Sequence, residues 1–202
     1  MTTTIRFLSL MLILGLGTLA NSCFAGSISF NEFHYDNTGG DVGEFLELFI
    51  PDSVDLSSST IAVDLYNGSN GTTYGSFTNA DLVMGSADTV GGVSGTLYTI
   101  SPSSIQNGGP DGFAVALDGV LCEFLSYEGD FAGMGGIADG VTSTDVGVSE
   151  SSAALVGSAI QLIDGAWTFT DGINTLGTPN AVPEPGAFAL LLMGGLFLVR
   201  RR

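Results

Sequence analysis

The 202-residue sequence predicts an all-β protein, an antiparallel sandwich or barrel, and three observations support this fold class. Short apolar runs recur along the chain with a β-like period. Turn residues separate the runs, and glycine is abundant at 30 residues. Between residues 26 and 180 we find no stretch with the length and period of a helix. The predicted strands are 27–34, 44–50, 60–67, 72–78, 95–100, 112–117, 120–127, 158–162 and 166–170.

Two Asp-Gly pairs predict the turns of β-hairpins. Asp118-Gly119 and Asp164-Gly165 each lie between apolar runs, which is the strongest short-range hairpin signal. Residues 36–43 and 129–149 depart from the strand pattern and are predicted as loops. Loops of this kind in a compact domain are usually functional or disordered, so their acidic residues are candidates for binding.

The N-terminal residues, 1–25, have the order of a secretory signal peptide. Arg6 precedes an apolar run, residues 7–20, and a segment of small residues follows, which predicts signal peptidase cleavage after Ala25. An uncleaved membrane helix is disfavoured because the run is shorter than the roughly 20 residues that span a bilayer. A lipoprotein acylated at Cys23 is disfavoured because the preceding residues fit a lipobox badly. We therefore expect export.

The C-terminal residues, 181–202, have three parts. The first contains two prolines around one acid, which favours an extended linker: Pro183, Glu184 and Pro185. The second is an uncharged apolar segment, 187–199, predicted as a transmembrane helix although it is short for a full span. The third is basic and favours a cytoplasmic position for this end, with the domain outside: Arg200, Arg201 and Arg202.

This three-part end, over residues 182–202, resembles the PEP-CTERM sorting signal of exported proteins in Gram-negative bacteria. The resemblance implies recognition by an exosortase, a membrane protease and transpeptidase-like enzyme, and processing near the Pro-Glu-Pro motif. Such proteins tend to come from bacteria that make exopolysaccharide, biofilm or floc. An ordinary C-terminal membrane anchor would look physically similar and is the alternative.

The charge distribution of the domain predicted over residues 26–180 is extreme. It carries 20 of the 21 acidic residues and no Lys or Arg, because all four basic residues lie in the two ends. Such a domain cannot neutralise phosphates, so we expect no direct nucleic-acid partner. Its charge would attract cations or basic surfaces. Without Lys or Arg, buried carboxylates must find backbone donors, hydroxyls or metal ions.

The domain resembles bacterial lamin-tail-like domains in several segments. They are ISFNEFHYDN at 28–37, EFLEL at 44–48, DGFAVAL at 111–117, FLSYEG at 124–129, and Trp167 with GTPN at 177–180. The resemblance implies a single immunoglobulin-like β-sandwich and a non-catalytic accessory module of a kind often appended to secreted nucleases and phosphatases. We expect no second, catalytic domain in this chain, which weakens any transfer of enzymatic function.

Four oxygen-bearing residues lie close together in and beside the first loop: Asp36, Asn37, Asp41 and Glu44. They supply hard oxygen ligands near glycines that permit a tight backbone, which predicts a calcium site. The spacing differs from that of an EF-hand. A solvated acidic loop without metal is the alternative.

The domain shows no recognisable catalytic constellation. His34 is its only histidine, which excludes sites built from several imidazoles. Glu44 and Glu47 are three residues apart, so on a strand they point to opposite faces. Glu32 and Glu44 could meet across neighbouring strands, either as caps of loop amides or as an acid/base pair. Five tyrosines are candidates for stacking on sugars: Tyr35, Tyr66, Tyr74, Tyr98 and Tyr127.

These observations favour an exported, non-catalytic protein of the cell surface or extracellular matrix, with a structural, adhesive or binding role. Extracellular polysaccharide is its candidate partner, beside the membrane and the two processing enzymes. The first alternative is a secreted carboxylate- and calcium-dependent hydrolase acting on polysaccharide or nucleic acid. The second is a calcium-dependent, self-associating module.

Overall fold

The computed structural model describes residues 28–180, which form an all-β structure. Two short 3-10 turns, Asn79–Asp81 and Gly136–Ala138, lie in connections between strands. The strands are β1 (Ser29–His34), β2 (Phe45–Pro51), β3 (Ile61–Asn67), β4 (Thr73–Thr78), β5 (Val83–Val90), β6 (Val93–Ile100), β7 (Asp111–Leu117), β8 (Val120–Tyr127), β9 (Thr144–Asp145), β10 (Ala159–Ile163) and β11 (Ala166–Thr170).

The strands form two sheets, as expected of a β-sandwich. The first sheet has six strands in the order β11-β10-β1-β2-β6-β5, and all its neighbours are antiparallel. The second has five in the order β4-β3-β7-β8-β9. Its pairs are antiparallel as predicted, except the last, β8 with β9, which is parallel. A long connection between β8 and β9 makes the parallel return feasible.

Aromatic side chains from both sheets meet in one core. The rings of Phe30 and Phe33 on β1 lie 4.5 and 4.8 Å from the ring of Phe113 on β7. Tyr35, just after β1, stacks on Tyr127 of β8 at 3.9 Å. All five side chains are fully buried. Burying an aromatic side chain stabilises a fold by about 2 kcal/mol or more, so β1 is fixed firmly between its neighbours.

Three hairpins have two-residue turns in the left-handed region. Asp118 and Gly119 join β7 to β8 at φ values of 50° and 77°, and Asp164 and Gly165 join β10 to β11 at 51° and 78°. These are the mirror-image turns that match strand twist, and both predicted Asp-Gly hairpins are confirmed. The third turn joins β5 to β6 through Gly91-Gly92. The prediction missed β5 because none of its residues is buried and they give no clear apolar alternation.

The predicted ends of the chain lie outside the described residues. This applies to the signal peptide with Ala25, to the Pro183-Glu184-Pro185 motif, to the helix predicted at 187–199, and to the three terminal arginines. Within residues 28–180, no helix has the length and apolar character needed to cross a membrane.

Candidate functional site

Buried carboxylates that no Lys or Arg neutralises are the most unusual chemical feature of the domain. Glu32, Glu47 and Glu150 are each at most 3% exposed, although residues 28–180 contain no Lys or Arg. Each accepts hydrogen bonds from backbone amides. The expectation that buried carboxylates find backbone donors, hydroxyls or metal ions is therefore met by backbone amides in all three and by a hydroxyl as well in Glu32. Charge-assisted bonds of this kind are stronger than bonds between neutral groups.

Glu32 and Glu47 lie side by side on the outer face of the six-stranded sheet. They are register partners of the antiparallel pair β1 and β2. Phe33 and Leu46, their chain neighbours, point into the core, so the two glutamates point outward. Side chains on the outer face of a sheet are ordinarily exposed, yet both glutamates are 0% exposed. A segment of chain must therefore cover them.

The covering segment is residues 172–180, which follow β11 and are called the strap below. The Thr175 amide lies 2.9 Å from Glu32 Oε1, and its hydroxyl lies 2.8 Å from Glu32 Oε2. The Gly177 amide donates to Glu47 Oε2. The Gly177 carbonyl accepts from the Ser86 amide of β5 at 2.8 Å, so the strap crosses the sheet from β1 to its β5 edge.

The strap ends at Asn180, which is anchored to two strands of the same sheet. Its side-chain amide donates to the carbonyl oxygens of Asn31 and Leu162, both at 2.9 Å. The Asn31 side chain donates to Asn180 Oδ1 at 3.2 Å and to Glu47 Oε1 at 2.7 Å. A groove of about 490 Å³ lies next to Asn180, between the β5–β6 and β10–β11 turns. The chain leaves the described domain at this groove.

Burial makes both glutamates hold their protons more tightly than in water. It raises the pKa of Glu47 to about 7, and the charges of Glu32 and Asp88 add to the rise while donors from Asn31 and Gly177 oppose it. Burial also raises the pKa of Glu32, against the hydrogen bonds from Thr175. Two adjacent buried carboxylates without a cation cannot both ionise at low cost. The pair therefore carries a proton at mildly acidic pH.

An unpaired acceptor lies beside this pair. Gln161 on β10 is the register partner of Glu32, and its side chain lies against that carboxylate. The amide nitrogen of Gln161 donates to Thr170 Oγ1 and to the Ile173 carbonyl. Its Oε1 atom is buried and has no hydrogen-bond partner among the described residues.

Glu150 forms a second buried clamp, at the end of β1. Its Oε2 atom accepts from the amides of Tyr35 at 2.6 Å and Asp36 at 3.0 Å. Its own amide donates to the hydroxyl oxygen of Tyr35 at 2.8 Å, and that hydroxyl donates to Glu128 Oε1 at 2.9 Å. This network joins the loop before β10 to the core of the sandwich.

His34 is bound to the same clamp. Its Nδ1 atom lies 2.8 Å from Glu150 Oε1, the only ion pair found within residues 28–180. Burial disfavours the charged imidazole, but the hydrogen bond and charge of Glu150 outweigh it and raise the pKa of His34. Asn37 Nδ2 lies 2.8 Å from Nε2, so each ring nitrogen has a polar neighbour. The arrangement fixes the loop that begins at Asp36.

The structure brings three of the predicted calcium ligands into one loop. Asp41 Oδ1 accepts from the Asn37 amide at 3.3 Å, and Asp41 Oδ2 accepts from the Asn107 side chain at 3.0 Å. Asp36 is 8% exposed, and burial together with the charge of Asp41 raises its pKa. Among the described residues, no group of three or more Asp, Glu, His or Cys side chains is arranged to hold a metal ion. Calcium binding stays a prediction.

Glu44, the fourth predicted ligand, caps a different loop. Its Oε1 atom accepts from the Ile105 amide at 3.0 Å. Its side chain is not the partner of Glu32, whose neighbour across the strands is Glu47. Of the two roles that the sequence left open, the pairing of Glu32 with Glu44 is not formed, and Glu44 caps a loop amide.

Three of the five tyrosines proposed for sugar stacking are fully buried: Tyr35, Tyr66 and Tyr127. They belong to the core and cannot stack on a ligand. Tyr74 and Tyr98 are half-buried and are the two candidates that keep part of a ring accessible.

Sequence reasoning missed the pairing of Glu32 with Glu47 and the strap that covers it. A signal was present, because each glutamate lies in a predicted strand between large apolar residues, in Phe-Asn-Glu-Phe and Leu-Glu-Leu. No family model, no curated protein and no solved structure matches this chain.

Proposed function

We propose that this chain is an exported, exosortase-sorted protein of the cell surface or extracellular matrix, with a structural, adhesive or binding role and no catalytic activity. The sequence order of signal peptide, acidic domain and Pro-Glu-Pro tail carries this proposal. From the resemblance to lamin-tail-like domains, we also propose that the sandwich is immunoglobulin-like.

The chemistry of the buried carboxylates supports a non-catalytic role. Glu32, Glu47 and Glu150 hold backbone amides of other segments, and none of the three is open to solvent. A general acid or base must reach a proton of the substrate, which a fully covered side chain cannot do. With the strap in place over Glu32 and Glu47, these groups therefore act as structural clamps.

The experiment that tests sorting compares the natural chain with a variant in which Pro183, Glu184 and Pro185 are replaced by Ala. Both are expressed in a Gram-negative bacterium that carries an exosortase and in a strain from which that enzyme is deleted. We expect the natural chain to lose its tail only where the enzyme is present, as read by intact mass of the mature protein. Tail removal that ignores both the motif and the enzyme would contradict the proposal.

A secreted hydrolase is the second candidate function, and one observation favours it. Glu32 and Glu47 are adjacent carboxylates, and Glu47 has a pKa raised to about 7, as a general acid requires. This activity would need the strap to move. Cleavage of an extracellular polysaccharide that is lost in Glu47→Gln would favour the hydrolase, and retention of the polysaccharide without cleavage would favour the binding protein.

A further inference from the structure

A groove of about 360 Å³ lies between β6 and the loop that follows β2. Tyr98 of β6 lines it, and its register partners are Leu48 on β2 and Met84 on β5. Register partners share a face of the sheet, so Tyr98 lies on the inner face, between buried Leu48 and Met84, which is 70% exposed. The ring of Tyr98 is therefore at the boundary between core and solvent, in a groove within the size range of small-ligand pockets, about 300–1,000 Å³.

Tyr98 differs from the other four tyrosines in its hydroxyl group. Each of the other four hydroxyls makes a hydrogen bond within the domain: Tyr35, Tyr66, Tyr74 and Tyr127. The Tyr98 hydroxyl has no hydrogen-bond partner among residues 28–180. A tyrosine packed against a core ordinarily finds a partner for its hydroxyl, so this one is available to a ligand.

Two aspartates of the loop after β2 supply carboxylates to the groove. Asp55 accepts from the Ser57 amide at 3.0 Å, from the Ser57 hydroxyl at 2.7 Å and from the Ser58 hydroxyl at 3.0 Å. These bonds lower the pKa of Asp55 and fix its carboxylate in place. The Asp52 carboxylate has no hydrogen-bond partner in the described part of the chain, whereas its amide donates to the Ser94 carbonyl of β6 at 3.1 Å. The loop is thus held against the sheet, and a preformed groove lowers the ordering cost of binding.

The polar groups of the groove determine which ligand it can bind. Its charged groups, Asp52 and Asp55, are both acceptors, and its side-chain donors are the hydroxyls of Tyr98 and Thr96. A ligand must therefore bring donors, and a charged amine brings several together with a positive charge. The whole domain acts in the same direction, because its 20 acidic residues and the absence of Lys and Arg over 26–180 repel polyanions and attract polycations.

The aromatic ring and the two hydroxyls favour a sugar over a basic peptide. The apolar face of a sugar ring can pack on the ring of Tyr98, while the sugar hydroxyls pair with the polar groups around it. A lysine side chain has donors but no acceptor, so it cannot accept from the hydroxyls of Tyr98 and Thr96. A sugar hydroxyl both donates and accepts, and it can satisfy the carboxylates and the hydroxyls together.

We propose that this groove binds an amino sugar with a free amine, as a unit of an extracellular polysaccharide: the sugar ring packs on Tyr98, and its ammonium group binds the carboxylates of Asp52 and Asp55. The inference rests on the proposed binding role of the protein and adds the site and the kind of polysaccharide. Polysaccharides that carry uronate or sulfate groups are excluded from the groove by the same charges.

The first test measures the affinity of the full chain, in micelles of a non-ionic detergent, for three oligosaccharides by isothermal titration calorimetry. They are a tetramer of glucosamine, its fully N-acetylated form and a tetramer of galacturonate. At about pH 5.5, the amines are charged and the aspartates are ionised. We expect the glucosamine tetramer to bind at least about tenfold more tightly than the N-acetylated form, and galacturonate not to bind. Equal affinity for the first two, or tighter binding of galacturonate, would overturn the proposal.

Two charge variants assign the binding to the groove. Asp52→Asn removes a charge but no hydrogen bond of the described fold, so it should weaken binding of the glucosamine tetramer about threefold. Asp130→Asn is the matched control, because Asp130 is also exposed and without a hydrogen-bond partner among residues 28–180, but lies outside the groove in the loop after β8. It should leave the affinity unchanged. An equal loss in Asp130→Asn would indicate attraction by overall charge and would overturn the site.

Two substitutions of Tyr98 test the ring and the hydroxyl separately. Tyr98→Ala removes the packing surface and should weaken binding about fivefold or more. Tyr98→Phe keeps the ring and removes only the hydroxyl, so it should fold normally and weaken binding about threefold. Tyr98→Phe and Asp52→Asn decide the question if Tyr98→Ala does not fold. Unchanged affinity in both of these variants would overturn the proposal.

Tetralysine tests whether the groove binds a basic peptide instead. We expect it to bind more weakly than the glucosamine tetramer, with an affinity that Tyr98→Phe does not change, because it brings charge without a sugar ring. An affinity equal to that of the glucosamine tetramer, and equally lowered by Tyr98→Phe, would assign the groove to a basic protein and overturn the sugar site.

Retention of the chain on beads that carry whole extracellular polysaccharides separates failure of this site from failure of the proposed binding role. We expect retention on a polysaccharide with free amines, and less of it in Asp52→Asn and Tyr98→Phe. Retention that neither variant lowers would overturn the groove and leave the binding role in place. Retention on none of the polysaccharides would overturn the groove and remove polysaccharide as the partner, whereas sorting is decided separately by tail removal.

Discussion

Removing one hydroxyl group, by Tyr35→Phe, is expected to destabilise the domain by about 2 to 4 kcal/mol. The hydroxyl accepts from the Glu150 amide at 2.8 Å and donates to Glu128 at 2.9 Å. The ring of Phe can keep the 3.9 Å stack on Tyr127, so packing changes little. A buried amide left without a partner costs about 1–3 kcal/mol, and a lost bond to a charged group adds a comparable amount.

The assay is urea unfolding of residues 26–180 at pH 7, with Tyr98→Phe as the matched control. Tyr98 is only half-buried, so the same chemical change there should cost less than about 0.5 kcal/mol. If Tyr35→Phe costs no more than the control, the hydroxyl network does not stabilise the fold and the reasoning is refuted. A large loss with a changed urea slope would instead indicate a change in the unfolded or native ensemble.

Three other perturbations test separate features of the domain. The free energy of unfolding should fall as pH rises from 5 to 8, because burial raises the pKa values of Glu47 and Glu123 to about 7, so the folded form holds protons that the unfolded form has lost. Glu47 alone accounts for about 3 kcal/mol of this free energy, and a urea-unfolding stability that does not change with pH would contradict the prediction. Gly119→Ala should cost about 1 kcal/mol in the same assay, because Gly119 has φ of 77° in the β7–β8 turn, and an unchanged stability would refute that account. Millimolar calcium should raise the melting temperature of the natural domain but not that of the Asp41→Asn variant. An equal rise in both would show that calcium does not bind at the predicted site.

Local signals in the sequence predicted most of the strands. All nine predicted runs correspond to strands, namely β1–β4, β6–β8, β10 and β11, with ends that differ by at most two residues. Apolar runs and Asp-Gly turns act over a few residues and can be read directly. The two missed strands have weak local signals, since β5 is an edge strand with no buried residue and β9 has only two residues.

The candidate site could be predicted only in part, because it depends on register and on a distant segment. Nothing local to Glu32 indicates that Glu47 lies opposite or that Thr175, 143 residues later, will cover it. Composition did predict the type of solution. A domain without Lys or Arg was expected to satisfy its buried carboxylates with backbone donors, hydroxyls or metal ions, and Glu32 is bound by both donors of Thr175.

The contact between Gly177 and Ser86 also protects the edge of the six-stranded sheet. β5 is one of the two edge strands of this sheet, it is bulged between Met84 and Ala87, and Val83 and Met84 are 64% and 70% exposed. An exposed apolar edge with unpaired amides invites pairing with another chain. The Gly177 carbonyl occupies the Ser86 amide at the bulge, so a second molecule cannot add a strand there in register. Loss of the strap would therefore expose an edge prone to aggregation as well as two buried acids.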